Sequence, residues 1–332
     1  MNTPWKIPAL VMALVLTLSG CSRSMGETEP DVNPNLPSGI ATPGEASLIP
    51  DKLDTVEGVP LLTVYIADAQ RYQEMDIETY VEGVLAGEMR NDWPMEALKA
   101  QAILARTFTL KFVGEKQSKY EDADISTDIS EAQAYNESAV NDRIRRAVEE
   151  TKGMVLASGG ELPYTWFHAH SGGQTELAKP GLEYPQDEPA YTRTVEGMES
   201  DKAPTTVKNW TARFSAREVG EACAKLGAET GAVESISIGE TSSSGRAITL
   251  VVNGKTVSAP ALRLALDSTR FKSAMLSEVT VLDGEVVFRG SGYGHGVGMS
   301  QWGAYNLAEQ GRSAEEIVLH YFQNVQLVDL WN

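Results

Sequence analysis

The sequence predicts an α+β fold in which an N-terminal group of helices packs with antiparallel β-hairpins. Helical patterns come early, at 76–112 and 137–152, and three hairpin patterns with glycine-containing turns come later. Hairpins join antiparallel strands, whereas parallel strands need a long crossover connection, so this order argues against a doubly wound parallel sheet. We expect one compact domain over residues 61–332.

Composition and charge narrow the class of protein. The chain has 332 residues, 42% of them hydrophobic, and a formal net charge of −18. The hydrophobic fraction is that of an ordinary globular protein. Because an acidic chain repels polyanions, we expect no nucleic-acid partner.

The N-terminus has the features of an export signal. Lys6 precedes an apolar run at 7–18, which is shorter than the roughly 20 residues that a membrane-spanning helix needs. The run ends in Leu-Ser-Gly-Cys, which resembles the bacterial lipoprotein box. The sequence thus predicts a signal peptide at 1–20 and a lipid anchor on Cys21 that holds the protein at the outer face of the cytoplasmic membrane. The alternative is an ordinary cleaved signal with a chance cysteine.

Residues 21–60 have the composition of a tether, with six prolines and few large apolar groups. The folded part is predicted to begin with a strand at 61–66. The second cysteine, Cys223, lies in a helical pattern and is predicted to be a small core residue.

Turn chemistry predicts the three hairpins. Asn253-Gly254 and Asp283-Gly284 each separate two β-prone runs, and such pairs supply the positive φ angles of tight turns. Ser158-Gly159-Gly160 follows a further β-prone run at 154–157. Three more helical patterns lie at 215–227, 300–310 and 314–322.

The first helical pattern ends in an unusual carboxylate. Asp76 can cap a helix whose apolar positions recur at helical spacing from Ile77 to Leu85, and Glu88 continues that stripe. Burial would raise the pKa of Glu88 and keep it protonated, as a general acid requires. The alternative is that the helix frays before Glu88, which then points to water.

The second helical pattern follows Trp93-Pro94. Lys99 and Arg106 are seven residues apart and project from one side of this helix, with Gln101 nearby. These three side chains could bind a polar ligand or orient Glu88. The alternative is an ordinary solvated face.

Several segments together resemble the SpoIID/LytB family, whose type member is stage II sporulation protein D. They cover essentially the whole folded part, from about 62 to 330, and stand in the family's order. The matching segments are VEGVLAGEM (81–89), MEALKAQAILARTFTL (95–110), WFHAHSGGQTE (166–176), Ser-Gly-Arg (244–246) and GYGHGVGMSQWGAYNLAEQGRSAEEIVLHYF (292–322).

The resemblance implies a lytic transglycosylase that acts on peptidoglycan glycan strands, especially strands without stem peptides. The family's catalytic glutamate falls on Glu88. It protonates the oxygen between N-acetylmuramic acid (MurNAc) and N-acetylglucosamine, and the MurNAc 6-hydroxyl then attacks C1 to give a 1,6-anhydro end. The LytB branch implies a different role, that of a non-catalytic wall-binding protein that enhances a separate amidase.

Two features depart from the family pattern. Zinc-binding members carry Cys-x4-His-Cys before Gln-x-Tyr, where this chain has Ser126, Glu131 and Ala132. We therefore expect neither a metal nor another cofactor. The sporulation protein usually has an N-terminal transmembrane anchor rather than a lipoprotein box, which leaves open whether this chain is the engulfment enzyme or a paralogue.

The glycine-rich segment at 294–298 is predicted to form the far wall of the glycan groove. Its glycines would let the backbone approach a sugar, and His295, Ser300, Gln301 and Trp302 would add hydrogen bonds and a stacking surface. We place His168, from the third matching segment, in the same substrate-binding set. The alternative is a buried structural turn with a satisfied histidine.

Two other chemistries receive little support. A serine hydrolase would need Gly-x-Ser-x-Gly, but Trp302 stands at the last position of that pattern around Ser300. A metal enzyme could use His168, His170 and His295, but no metal-binding spacing supports it.

Overall fold

The computed structural model describes residues 48–331 and confirms the α+β class. The predicted signal peptide, Cys21 and the tether up to residue 47 lie outside the described residues. Cys223 is a free, fully buried core residue, as predicted. Within 48–331, none of the helices combines the length and the apolar character that crossing a bilayer requires.

The helices follow the predicted pattern, with three short additions. In chain order they are α1 (Ile77–Glu88), α2 (Met95–Glu115), α3 (Asp142–Glu149), α4 (Ala178–Leu182), α5 (Thr205–Lys208), α6 (Ala216–Lys225), α7 (Ala259–Ala265), α8 (Gln301–Glu309) and α9 (Ala314–Tyr321).

The strands are mostly short. They are β1 (Thr55–Val56), β2 (Val59–Ile66), β3 (Arg71–Asp76), β4 (Ile125–Ser126), β5 (Met154–Ala157), β6 (Phe167–His168), β7 (Trp210–Ser215), β8 (Ile236–Ile238), β9 (Thr249–Val252), β10 (Lys255–Ser258), β11 (Leu276–Leu282), β12 (Glu285–Gly290), β13 (Met299–Ser300) and β14 (Gln326–Asp329). Three antiparallel groups have the orders β1-β2-β3, β10-β9-β8 and β11-β12-β7, and β4 pairs in parallel with β2.

The described residues form two hydrophobic cores. The larger core draws on the segments before Trp210 and after Gly290, and α2 runs through it with most of its surface buried. The smaller core lies within 210–288, where Phe271 and Phe288 stack with ring centroids 4.4 Å apart. The smaller core is thus formed by a continuous insertion between two parts of the larger one.

Two of the three predicted hairpins are confirmed. β9 and β10 pair around Asn253-Gly254, and β11 and β12 pair around Asp283-Gly284, with positive φ at all four turn residues. The third prediction is wrong: a turn forms at Ser158, but the chain does not return along β5. Instead β14 pairs antiparallel with β5, and β6 pairs in parallel with β13. β5 therefore pairs with a strand from the distant C-terminal segment and not with the local strand that the sequence predicted.

Candidate active site

Glu88 is the last residue of α1 and its side chain is buried. The Asp76 carboxylate accepts a hydrogen bond from Thr79 N at 2.8 Å and caps the start of the helix, as predicted. The helix continues through Glu88, which is only 8% exposed. The alternative of a frayed helix end with Glu88 in water does not hold.

Two segments distant in sequence meet at Glu88. Ala134 N donates to Glu88 Oε1 at 2.7 Å, and Gln301 Nε2 lies 3.4 Å from the backbone oxygen of Glu88. Burial raises the pKa of Glu88 from 4.5 to about 7, while the hydrogen bonds from Ala134 and Gln301 act in the opposite direction. A pKa near neutrality lets Glu88 exchange a proton in the physiological pH range, as a general acid requires.

Two glycines of α1 allow the segment around Ala134 to approach. Asn136 N donates to Gly83 O at 2.9 Å, and a Cβ on Gly83 would overlap the Tyr135 ring. A Cβ on Gly87 would lie 2.7 Å from the backbone of Ala134, closer than real contacts permit. The hydrogen bond to the Glu88 carboxylate therefore depends on glycine at position 87.

We expect Gly87→Ala to damage the site without removing any reacting group. The added methyl must displace the Ala134 backbone, which weakens the bond to Glu88 Oε1 and raises the pKa of Glu88 further. The pH profile of activity should shift upward and turnover should fall by roughly tenfold, about 1.4 kcal/mol of barrier. Gly114→Ala, where the nearest atom is the flexible ring of Pro50 at 3.3 Å, is the matched control. An unchanged pH profile in Gly87→Ala would contradict the close-approach argument.

The N-terminus of α8 brings Gln301 to Glu88. Ser300 caps this helix, since Gly303 N donates to Ser300 Oγ at 3.3 Å. Ser300 Oγ itself donates to Glu199 Oε1 at 2.8 Å. Ser300 is fully buried, so its hydroxyl serves the helix end and faces away from solvent.

Trp302 belongs to an aromatic cluster beside the site. Its ring centroid lies 4.6 Å from that of Trp93 and 5.4 Å from that of Tyr305. Because Trp302 is only 7% exposed, most of the stacking surface predicted for it is already covered by these neighbours. Tyr305, at half-burial, is the more accessible ring of the cluster.

Glu199 is a second buried carboxyl that sequence reasoning missed. Its Oε1 accepts from Ser171 N at 2.6 Å as well as from Ser300, and its Oε2 lies 3.6 Å from His170 Nε2. Burial raises its pKa to about 7, and its hydrogen bonds act in the opposite direction. Glu199 lies in an irregular loop without periodicity, so no local pattern distinguishes it; its position under α8 depends on tertiary packing.

Lys99 and Arg106 have structural partners. Lys99 pairs with Glu96 at 2.9 Å and with Glu150 at 2.5 Å. Arg106 is fully buried and pairs with Glu78, in the first turn of α1. Glu78 is ten residues before Glu88, about 15 Å along the helix axis. Arg106 is therefore not placed to orient Glu88.

Gln101 is also fully buried, and neither atom of its amide has a partner within the described part of the chain. Such an amide is usually satisfied by an ordered water. No hydrogen bond joins Gln101 to Glu88 within the described residues.

The rings of His168 and His295 lie next to each other. Their ring centroids are 5.8 Å apart; His168 Nδ1 lies 3.1 Å from Val297 O, and His295 Nδ1 accepts from Val297 N at 3.0 Å. Burial lowers the pKa of both rings, that of His295 to about 3, so both are neutral. Nε2 of each ring has no hydrogen-bond partner within the described residues, so neither histidine is fully satisfied, and the place of His295 in a glycan groove stays a prediction.

The glycines of the same loop make room for the protein's own groups. A Cβ on Gly294 would lie 2.7 Å from His168 Cβ, one on Gly296 would meet the Arg246 guanidinium, and one on Gly298 would meet the backbone of Trp166. All three glycines have positive φ. The predicted approach of a sugar to this backbone is thus replaced by internal packing.

The positions that hold zinc in some relatives do not fit a metal here. Ser126 is buried, Ala132 is apolar, and Glu131 Oε1 accepts from Ser118 Oγ and Lys119 N at 2.8 and 2.7 Å. These side chains offer neither thiolate nor imidazole. Across 48–331, no three histidine, cysteine or acidic residues are grouped so that they could hold a metal ion.

Comparisons with known proteins agree with the motif order. Residues 65–157 match the family described as Stage II sporulation protein, and residues 185–298 match a domain of unknown function (DUF8618). The chain is 31% identical over 284 residues to Stage II sporulation protein D of Bacillus amyloliquefaciens, covering 80% of this chain and 77% of that protein.

The chain is also similar to two proteins with other names. The chain is 32% identical to an uncharacterized protein of Brachyspira hyodysenteriae, covering 77% of this chain and 67% of that protein. It is 28% identical to a Bacillus subtilis protein named Amidase enhancer, over 74% of this chain but only 40% of that protein. Because it is 31% identical to Stage II sporulation protein D over 77% of that protein's length, the chain belongs to the stage II sporulation protein D family.

Proposed function

We propose that this protein is a lytic transglycosylase that cleaves the MurNAc–GlcNAc bond of peptidoglycan glycan strands, preferentially strands without stem peptides. The observation that carries the proposal is Glu88, a buried carboxyl with a pKa of about 7 held between Ala134 and Gln301. Family membership and the similarity to a protein named an amidase enhancer support a role at the cell wall.

One carboxyl group suffices for this reaction. Protonated Glu88 donates its proton to the glycosidic oxygen as the bond to C1 breaks. The resulting carboxylate is stabilised by the hydrogen bonds from Ala134 N and Gln301, which favour its charged form. It then takes the proton of the MurNAc 6-hydroxyl while that oxygen bonds to C1, which restores the acid without consuming water. This differs from glycosidases with two carboxylates.

The test is the identity of the product. Purified protein is incubated with peptide-free glycan strands, and the new chain ends are identified by mass spectrometry. We expect 1,6-anhydro-MurNAc ends, which are lighter than reducing ends by one water. Reducing MurNAc ends would instead indicate a hydrolase.

The alternative function is a non-catalytic wall-binding enhancer of an N-acetylmuramoyl-L-alanine amidase. The similarity to the protein named Amidase enhancer favours it. Zymography on purified wall separates the two, since an enhancer clears nothing alone and increases clearing by an added amidase. A transglycosylase clears the wall without a partner.

We also propose that the mature protein is anchored through lipidated Cys21. Cys21→Ala should abolish lipid attachment and leave the protein either soluble or unprocessed. Membrane fractionation, with metabolic labelling by a fatty-acid analogue, measures the result. Cys223→Ala, which changes a buried thiol, is the control and should keep the label. Unchanged membrane fractionation and labelling of Cys21→Ala would refute the anchor.

A further inference from the structure

Two arginines are buried where the smaller core meets the glycine-rich loop. Arg246 and Arg263 are 2% and 4% exposed. Arg246 Nη1 donates to Gln174 O at 2.8 Å, and Nη2 donates to Ser171 O. Arg263 Nε donates to Lys272 O at 2.9 Å. These bonds use backbone carbonyls, which satisfy donors but leave the positive charges unneutralised.

Each guanidinium also keeps a buried nitrogen without an acceptor. Arg246 Nε and Arg263 Nη2 have no hydrogen-bond partner among the residues at 48–331. Buried charged donors in native proteins are almost always paired, because an unpaired one loses its hydration without compensation. The two orphaned nitrogens therefore indicate an acceptor that the polypeptide does not provide.

The nearby carboxylates do not neutralise both arginines. Glu176 and Glu199 act electrostatically on Arg246. Their hydrogen bonds come from Ser244 and Ser242, and from Ser171 and Ser300, and not from either guanidinium. Arg263 has no carboxylate partner within the described residues; the phenol of Tyr293 and the charge of Arg246 act on it. Burial lowers the pKa of each arginine to about 10, which still leaves both charged at neutral pH. Arg263 is thus a buried charge with no carboxylate in contact with it among the described residues.

A small cavity lies between these groups. Arg246 and Arg263 line it together with His295, and its other walls are small or apolar, formed by Pro180, Gly181, Ala247, Pro260, Ala274 and Gly294. It has room for about one small occupant, such as a water molecule or a monatomic ion. The cavity is too small for a sugar, a phosphate or a carboxylate ligand.

We propose that this cavity is a halide site, occupied by chloride, that joins the Ser-Gly-Arg segment (244–246) to the glycine-rich loop. A single chloride would accept hydrogen bonds from both orphaned nitrogens and would place a negative charge beside Arg263, which has no carboxylate partner among the described residues. A water molecule would fill the space and accept the hydrogen bonds but would leave the charge of Arg263 unneutralised. The inference does not depend on the proposed catalytic activity.

Bromide provides the direct test, because it replaces chloride and scatters anomalously. Crystals of the full folded protein grown in sodium bromide should show an anomalous peak within hydrogen-bond distance of Arg246 Nε and Arg263 Nη2. Absence of that peak at high bromide would overturn the proposal and indicate a water in the cavity.

Stability in solution gives a second, independent measurement. Because chloride binds the folded state alone, each tenfold increase above its dissociation constant should raise Tm by roughly 2–5 °C. Chloride is compared with gluconate at constant ionic strength, since gluconate is too large for the cavity. Equal Tm values for wild type in the two salts would also overturn the proposal.

Arg263→Met removes one ligand at nearly constant shape and should lose the chloride dependence. Arg289→Met is the matched control, because Arg289 forms an exposed pair with Glu278 at 2.9 Å. If Arg263→Met does not fold, the bromide peak and the wild-type chloride dependence still decide the proposal. A chloride effect that persists unchanged in folded Arg263→Met would contradict it.

Discussion

Glu88→Gln should lower turnover on peptide-free glycan by at least about 100-fold, because general acid–base catalysis contributes about 10²–10⁴-fold. The glutamine amide keeps the size of the side chain and can accept the hydrogen bond from Ala134 N, but it cannot donate and regain a proton. Binding of the glycan should change little. Release of anhydro-MurNAc products, measured against a glycan-binding assay, separates the two effects.

The same substitution has an effect on stability whose size depends on pH. The folded-state pKa of Glu88, about 7, lies above its ordinary value of 4.5. The folded protein therefore retains a proton that the unfolded chain releases between about pH 4.5 and 7, so stability falls as pH rises through that window. With 1.36 kcal/mol for each pKa unit, the cost above pH 7 is about 3 kcal/mol. Glu88→Gln should be more stable than wild type at pH 8, with the difference shrinking toward pH 5.

Asp92→Asn is the control for Glu88. Asp92 is exposed in the turn between α1 and α2 and forms two hydrogen bonds with Arg90, at 2.9 and 2.6 Å. Its substitution should alter activity by less than about threefold, since exposed pairs contribute little. Near wild-type turnover in folded Glu88→Gln would remove Glu88 as the acid and require another catalytic group, whereas absence of turnover in both wild type and variant would favour the enhancer function.

The parts of the fold that follow local rules could be predicted from the sequence. Asp76 caps α1, Ser300 caps α8, and the turns at Asn253-Gly254 and Asp283-Gly284 close hairpins, because each depends on residues within one turn of the chain. The short helices α4, α5 and α7 were not predicted, since four to seven residues are too few to show a periodicity.

The long-range features of the site could not be read from the sequence. The pairing of β14 with β5, the approach of Ala134 to Glu88 and the burial of Glu199 under α8 join segments that are far apart in the chain. Gly83 and Gly87 share one face of α1, and this spacing indicates that another segment packs closely there. It does not indicate which segment that is. The sequence predicted Glu88 as a buried carboxyl and placed Gln301 in the same groove, and the structure brings Gln301 to Glu88; the contact with Ala134 was not predicted.

The spacing of Arg106 and Lys99 predicted that Arg106 binds a ligand, but the contacts of Arg106 indicate that it stabilises the fold. Its guanidinium contacts both carboxylate oxygens of Glu78, and its Nη1 donates to Met154 O at 2.9 Å. Glu78 Oε1 also accepts from Gly153 N at 3.0 Å and from Trp331 Nε1 at 3.1 Å. This ion pair therefore connects α1 and α2 with the start of β5 and the C-terminal segment.

Arg106→Met should reduce the free energy of unfolding by about 3–5 kcal/mol, because it leaves the Glu78 carboxylate largely buried without its counter-ion. The double variant Arg106→Met with Glu78→Gln removes both charges, so it should recover part of that loss. Urea denaturation measures the free energy of unfolding of each variant. Arg312→Met, which breaks an exposed pair with Glu316 at 2.8 Å, is the control and should cost less than about 1 kcal/mol.

The kinetics of Arg106→Met separate the structural role from the substrate-binding role that its spacing predicts. At a temperature where the variant is folded, a structural residue leaves KM for glycan unchanged, because Glu78 and Glu88 lie about 15 Å apart along α1. A binding residue would raise KM at unchanged stability, since its interactions would be made with the ligand and not with Glu78. If the variant kept the wild-type free energy of unfolding and its KM rose tenfold, Arg106 would be a glycan-binding residue. That outcome would contradict the structural role of its ion pair with Glu78.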